Sequence, residues 1–162
     1  MAMAVFRRSR INRITSKVIR AAIEVHRHLG PGLLENIYQR CLRYELAGSN
    51  VAFEAGKAID VAYKGETLNC GVKLDFLVEE LVVVELKAVE AIAPVHVAQV
   101  LTYLKLSGAP LGLLINFNVP VLKNGIQRLL NKEHEVVDEF TPAGRQRLAE
   151  QPDEQMPGQP GA

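Results

Sequence analysis

The segment that most constrains the fold is residues 51–87, where apolar and polar residues alternate. A repeat of two is typical of β-strands, because successive side chains point to opposite faces of a sheet. The Lys-Gly pair at 64–65 has the composition of a hairpin turn, and the Glu pair at 79–80 separates two further strands, residues 73–78 and 81–87. The segment therefore predicts several strands joined by short turns.

The segments on either side of these strands repeat with a helical period instead. Predicted helices cover residues 11–29, 33–47, 94–106 and, as a short last helix, 125–130. Gly30-Pro31 ends the first of them, since glycine adopts the left-handed cap conformation and proline cannot continue a helix. The apolar run at 111–117 predicts a strand that is buried on both faces. Helices and strands in this order indicate an α/β fold.

Length and composition describe one globular unit. The chain has 162 residues, of which 48% are hydrophobic and 23% charged, and this is enough to build an apolar core. We expect a basic N-terminal extension over residues 1–10 and a folded domain over 11–140. Residues 141–162 are rich in Pro, Gly and Gln and lack apolar spacing, which predicts a disordered tail.

Several features predict a cytoplasmic protein with no membrane partner. No apolar run approaches the roughly 18 residues of a membrane span. The short apolar stretch at the N-terminus precedes its arginines, which is the reverse of a secretory signal. Cys41 and Cys70 are too few for a disulfide framework or for a zinc site built from cysteine pairs, so we expect two reduced thiols.

Basic charge is concentrated in the first part of the chain. Residues 1–44 carry nine lysines and arginines and two acids, whereas the remainder carries ten basic and sixteen acidic residues. This asymmetry is compatible with a surface that faces a polyanion. The polar face of the first predicted helix is mostly basic. Its candidate nucleic-acid-binding residues are Arg13, Lys17, Arg20 and Arg27.

The strongest candidate site lies in LDFLVEELVVVELK, residues 74–87. If its two strands pair around the turn, Asp75 lies opposite Glu85, and Lys87 shares their face. Like charges that face each other across a sheet are destabilising, so something must neutralise them. Mg²⁺ would do so, because it prefers carboxylate and carbonyl oxygens, and Lys87 would then serve a water or the charge on a phosphoryl group. A solvated ion pair between strands is the alternative interpretation.

Two predicted helices add polar residues near these strands. His96, Gln99 and Tyr103 share one stripe of the helix that follows Lys87. Glu35 lies at the rim of an apolar face of the second helix, where a carboxylate needs a partner.

Taken together, these residues resemble a known family, the GxxExxY proteins of the PD-(D/E)XK nuclease superfamily. The resemblance rests on GLLENIY at 32–38, Asp75, the triplet Glu85-Leu86-Lys87, and Gln99-x-x-x-Tyr103. It covers roughly residues 11–131 in order. Leu74 stands where the superfamily's name places proline, and this departure matters little because proline brings no ligand.

The resemblance implies a restriction-endonuclease-like core, in which a mixed β-sheet is flanked by helices. It also implies a set of ligands for Mg²⁺, or for Mn²⁺ in its place: Asp75, Glu85, the backbone carbonyl of Leu86, and Glu35 from the upstream helix. Lys87 would serve the attacking water. Gln99 and Tyr103 resemble the Gln-x-x-x-Tyr element of RecB-like nucleases, which places them with Glu35 and Lys87 among the expected catalytic residues.

The expected function is therefore Mg²⁺-dependent hydrolysis of phosphodiester bonds in DNA. One alternative is a non-catalytic module that binds nucleic acid or protein and uses the acids structurally. A metal-dependent hydrolase of a smaller phosphoester is a second alternative. Nucleic acid is the expected partner, and assembly into a homo-oligomer is left open.

Overall fold

The computed structural model describes residues 3–151, which contain seven strands and four α-helices. In chain order the elements are β1 (Val5–Arg7), α1 (Arg8–Leu29), α2 (Glu35–Ala47), β2 (Phe53–Tyr63), β3 (Glu66–Val78), β4 (Val82–Lys87), α3 (Pro94–Ser107), β5 (Leu111–Asn116), β6 (Ile126–Leu130), β7 (Glu135–Val137) and α4 (Pro142–Ala149).

Five of the strands form one mixed sheet, in the order β2-β3-β4-β5-β6. Strands β2, β3 and β4 are antiparallel neighbours, β4 and β5 run parallel, and β6 returns antiparallel to β5. The parallel pair requires a crossover connection, which α3 supplies. Every residue of β4 and β5 except Lys87 is buried, so the buried strand predicted from the apolar run is confirmed.

Helices cover both faces of this sheet. On one face, Val18 of α1 and Leu42 of α2 share a core with Val84 of β4. On the other face, Val100 of α3 shares a second core with Val83. This arrangement confirms the predicted fold class and is consistent with a restriction-endonuclease-like core. Within residues 3–151, none of the helices is both long and apolar enough to cross a membrane.

The β3–β4 hairpin has the register that the sequence predicts, but it is shorter. Its pairs are Phe76–Val84, Leu77–Val83 and Val78–Val82. The turn residues Glu79 and Glu80 both adopt positive φ, 52° and 58°. Because the ladder ends at Phe76–Val84, Asp75 and Glu85 do not form the directly opposed pair that was expected.

Strand β3 also loses its alternation next to Asp75. The sequence places Leu74 and Phe76 on one face, whereas in the structure Leu74 belongs to the core under α3 and Phe76 to the core under α1 and α2. The reversal coincides with the end of the β3–β4 ladder. Asp75 therefore lies where β3 leaves regular pairing, which frees its side chain for other partners.

Within residues 3–151, the segments near both ends contain more regular structure than the sequence predicts. Residues 5–7, expected to belong to a basic extension, form β1 and pair in parallel with β7, and α1 begins three residues earlier than predicted. Helix α4 covers part of the segment expected to be disordered. It begins after Thr141, whose hydroxyl accepts the Gly144 N–H at 3.0 Å. The rest of the predicted tail, residues 152–162, lies outside the described residues.

The short last helix predicted at 125–130 is wrong. Residues 126–130 form β6, which pairs with β5 from Ile115–Ile126 to Leu111–Leu130. Five residues are too few for periodicity to distinguish a strand from a helical turn. The long-range pairing with β5 therefore determines the conformation.

Gly125 allows β6 to approach β5 closely. A Cβ atom at this position would overlap the Asn116 carbonyl oxygen and lie 2.9 Å from Val119 Cγ2. We expect Gly125→Ala to lower the free energy of unfolding by about 3 kcal/mol, because the backbone must move to accept the methyl group. Urea denaturation measures this change. Gly48→Ala is the matched control, since its Cβ would meet only the Glu45 carbonyl oxygen at 3.6 Å, and an equal loss in both variants would contradict the explanation.

Candidate functional site

Asp75 joins three elements at the end of the β3–β4 ladder. Its Oδ2 accepts the backbone N–H of Leu86 in β4 at 2.8 Å. Its Oδ1 accepts the side-chain amide of Gln39 in α2 at 3.0 Å. The carboxylate therefore serves as the hydrogen-bond partner of Leu86 beyond the last backbone pair, and it is held in one orientation.

Glu85 and Lys87 lie next to Asp75 on β4. They are two residues apart and so project to the same face of the strand. Lys87 Nζ lies 3.8 Å from Glu85 Oε1, and only 4% of Glu85 is exposed. Glu85 Oε2 is buried and has no hydrogen-bond partner among the residues that the structure describes. A buried carboxylate oxygen without a donor is costly, so this atom is suited to a cation or a proton.

Burial disfavours the charged form of both acids. Burial raises the pKa of Glu85 to about 8, and the Asp75 charge adds to this shift while Lys87 opposes it. Burial also raises the pKa of Asp75, against the opposing effects of the Leu86 N–H and the Lys87 charge. A cation placed between the carboxylates would reverse both shifts.

Glu35 lies at the edge of this site, with Gln39 between it and Asp75. The Gln39 amide nitrogen donates to Glu35 Oε1 at 3.2 Å as well as to Asp75. Burial raises the pKa of Glu35, whereas the charges of Lys87 and His96 lower it. Within residues 3–151 no group of three or more acidic, histidine or cysteine side chains is arranged to hold a metal ion. The structure therefore does not assemble Glu35, Asp75 and Glu85 into the ligand cluster that the family resemblance implies.

Tyr38 fixes the start of α2 and with it the position of Glu35. Its hydroxyl donates to the Gly30 carbonyl at 2.6 Å and accepts the Leu33 N–H at 3.1 Å. Its ring is fully buried and stacks on Phe117 with 4.5 Å between centroids. The tyrosine of GLLENIY is thus a structural residue, which holds the loop that leads into α2.

Gln99 and Tyr103 form a pair on α3. The Gln99 amide donates to the Tyr103 hydroxyl at 2.6 Å. Burial raises the pKa of Tyr103, and the charges of Glu85 and Asp75 add to this effect. Tyr103 therefore lies within range of the electrostatic effect of both acids. The side-chain hydrogen bond of Gln99 thus stays within α3, between residues four positions apart.

Two further residues of the site were not predicted. Gln39 follows Glu35 by four residues, so helical spacing offered a signal. Asn116 is buried at the end of β5, beside Lys87 in the parallel ladder. Its side chain accepts the Val89 N–H at 3.1 Å and donates to the Val89 carbonyl at 2.9 Å. A single amide at the end of an apolar strand was the available signal, and its role is to fix the chain that follows Lys87.

The basic residues predicted to bind nucleic acid lie along α1, and none of them is among the charges that shift the pKa of Asp75 or Glu85. Arg13, Arg20 and Arg27 are exposed, whereas Lys17 is half-buried and donates to the Asn50 carbonyl at 3.2 Å. Arg27 lies 3.8 Å from Glu24. Arg27 follows Arg13 by fourteen positions, which corresponds to about 21 Å of helix. The structure therefore does not gather these four cations beside Asp75 and Glu85.

The donors at the end of β3 and β4 fit a hard divalent cation. Two carboxylates and a backbone carbonyl, with waters completing the shell, form a typical Mg²⁺ environment. The unpartnered Glu85 Oε2 and the raised pKa values of both acids agree with a site that a cation would stabilise. Asp75, Glu85 and the Leu86 carbonyl are therefore the residues that would hold the ion.

Comparison with known proteins gives one match. The sequence profile of the PD-(D/E)XK nuclease superfamily matches residues 12–129, which include all of the site residues described above. No curated protein and no solved structure gives a significant match to the chain.

Proposed function

Because this chain belongs to the PD-(D/E)XK nuclease superfamily, we propose that it is a Mg²⁺-dependent nuclease that hydrolyses phosphodiester bonds in DNA. The observation that carries this proposal is the buried pair Asp75 and Glu85, with an unpartnered Glu85 Oε2 and with Lys87 Nζ at 3.8 Å from Glu85 Oε1. Two buried acids, one with an unpartnered oxygen, are stabilised by a cation. A lysine beside them can orient water and stabilise negative charge on the phosphoryl group.

The role of each residue follows from its position. Asp75 and Glu85, with the Leu86 carbonyl, would hold the ion, which supplies Lewis-acid stabilisation of negative charge when it is bound. Lys87 is half-buried and keeps its ammonium group near Glu85, where it can orient the attacking water and stabilise charge on the phosphoryl oxygens. Water adds to phosphorus and gives up one proton to solvent, the bond to the leaving oxygen breaks, and that oxygen takes up a proton from solvent.

The more specific assignments concern the residues around this centre. We place the chain in the GxxExxY family and near the RecB-like nucleases, which the buried Tyr38 and the Gln99–Tyr103 hydrogen bond support. In this proposal Glu35 acts through Gln39 on Asp75 and reaches the ion only if Gln39 moves aside. Gln99 holds the hydroxyl of Tyr103 towards the acids.

The partner and location belong to the same proposal. Exposed arginines on α1, together with Lys17, would contact DNA phosphates outside the reaction centre. Both cysteines are free, which agrees with a cytoplasmic protein. Nothing in the site requires a second copy of the chain.

The test is a cleavage assay with the full-length protein. Labelled linear, circular and single-stranded DNA, with matching RNA, are incubated with Mg²⁺, Mn²⁺ or EDTA. We expect products with either cation and none with EDTA, and loss of the circular form would indicate an endonuclease. Absence of products from every substrate, with a correctly folded protein, would contradict the proposal.

A non-catalytic binding module is the second candidate. The placement of Gln39 between Glu35 and Asp75 favours it, because an amide there satisfies both carboxylates without an ion. Such a module would bind nucleic acid with no cleavage and would gain no stability from Mg²⁺. Thermal denaturation with and without Mg²⁺ separates the two candidates independently of the cleavage assay.

A further inference from the structure

Two arginines of α2 lie beside Asp75 without partners of their own. Arg40 and Arg43 are exposed. Among residues 3–151, neither is in an ion pair or in a side-chain hydrogen bond, whereas Arg8, Arg27 and Arg147 all pair with acids. Positions three apart on a helix lie on the same side, so the two guanidinium groups can act on one ligand.

These arginines line a cavity that also includes Asp75. Its volume is about 210 Å³, and its lining consists of Gln39, Arg40, Arg43, Ala55, Gly56, Asp75 and Phe76. We refer to it as the Arg40–Arg43 cavity. It is smaller than the roughly 300–1,000 Å³ of pockets that enclose a drug-sized ligand, so it suits a compact group.

Gly56 lines this cavity opposite Asp75. It lies in β2 between the pairs Ala55–Phe76 and Lys57–Leu74, which places it across from Asp75. Its φ is +62°, a conformation that favours glycine, and a Cβ there would meet nothing within 4 Å. The space beside Asp75 is therefore left free by a residue that the local backbone requires to be glycine.

We infer that the Arg40–Arg43 cavity binds one backbone phosphate of a nucleic-acid strand, next to the bond that is cut. The inference deepens the proposed function and rests on it. A guanidinium group presents paired N–H donors that match phosphate oxygens, and two such groups exceed the single opposing charge of Asp75. A phosphate held here positions the strand against Asp75 and Glu85, which the cations of α1 do not approach as a group. Arg40 and Arg43 are thus positioning residues for the substrate.

The test measures binding separately from cleavage. The full-length wild type, Arg40→Ala, Arg43→Ala and the double variant are titrated in EDTA against a fluorescein-labelled DNA strand, its duplex and the matching RNA. We expect about tenfold weaker binding for each single variant, and a slope of log affinity against log salt that is smaller by about one per arginine.

Lys132→Ala is the matched control. It removes the same charge from an exposed residue that follows β6, beside the start of β5 and thus at the opposite end of the sheet from Lys87. Its affinity should stay within about twofold of the wild type. Arg40→Lys and Arg43→Lys, which keep the charge, should recover part of the affinity and the full salt slope.

The outcomes separate this inference from the proposed function. Weaker binding by the arginine variants supports the phosphate site even if no substrate is cut, in which case only the nuclease proposal fails. The same loss with RNA alone would support the phosphate site and contradict the choice of DNA. Unchanged affinity of the folded double variant, a loss no larger than that of Lys132→Ala, or a wild type that binds no nucleic acid would overturn the inference.

Discussion

Replacing either Lys87 or Asp75 should abolish cleavage, and the two changes should differ in what they do to the metal site. We expect Lys87→Ala and Asp75→Asn each to reduce the rate of cleavage at least about 100-fold. Lys87→Ala leaves both carboxylates in place, so Mg²⁺ or Mn²⁺ should still raise its melting temperature. Asp75→Asn removes a ligand charge, so this rise should shrink or vanish.

The Asp75→Asn variant also tests whether repulsion between the charges of Asp75 and Glu85 destabilises the metal-free protein. Asn at position 75 can still accept the Leu86 N–H and relieves the repulsion of a charged Glu85, and Gln39 can turn its amide so that its oxygen accepts from the new NH2 group. In EDTA, Asp75→Asn should therefore be at least as stable as the wild type. An active Lys87→Ala variant, or a metal-induced rise in melting temperature that is as large in Asp75→Asn as in the wild type, would contradict the assigned roles.

The second large effect is a loss of stability as the pH rises. The pKa of Glu85 is about 8 in the folded protein and near 4.5 in the unfolded chain. Between these values the folded state holds the extra proton, so in EDTA the free energy of unfolding should fall as the pH increases, by up to about 1.4 kcal/mol per pH unit. Below pH 4.5 Glu85 is protonated in both states, so its contribution to the free energy of unfolding should not change with pH. Urea denaturation at a series of pH values measures the profile.

Glu85→Gln is the variant that isolates this contribution. It removes the titrating group, so its profile between pH 5 and 8 should be flatter, and at pH 8 its free energy of unfolding should exceed that of the wild type by about 4 kcal/mol. Glu90→Gln changes an exposed acid and should follow the wild type. Mg²⁺ should restore much of the wild-type stability at pH 8. A wild-type profile that is flat in EDTA would contradict the burial of a charged Glu85.

The parts of the fold that depend on local pattern could be predicted from the sequence. The apolar run at 111–117 predicts the buried strand β5, and the short turn between two alternating segments predicts the β3–β4 register, although this turn has three residues, 79–81, rather than two. Helix α3 begins at Pro94 as expected, because proline fits the first turn of a helix. In each case one short segment contains the whole signal.

Features that depend on distant partners could not be predicted in this way. Strand β1 forms because Val5–Arg7 pairs with β7, about 130 residues later in the chain. Strand β6 forms because it pairs with the edge of β5. Helix α4 forms in a Pro- and Gly-rich stretch, where Thr141 caps it.

The candidate site shows the same division. Asp75, Glu85 and Lys87 were accessible to prediction because they lie on one hairpin. Gln39 was not, because its hydrogen bond to Asp75 connects residues 36 positions apart. Helical spacing relates Gln39 to Glu35 but gives no information on what α2 will face.

The hydrogen bond between Leu86 and Asp75 has a consequence for Glu85. The Leu86 N–H belongs to the same planar peptide group as the Glu85 carbonyl, so a carboxylate that fixes one end of this group also fixes the other. Rotation of the Glu85–Leu86 peptide would break the bond to Asp75. The two acids are thus linked through one rigid amide, which the ladder with β5 holds from the other side, so a displacement of β3 at Asp75 would either break this hydrogen bond or strain the backbone at Glu85.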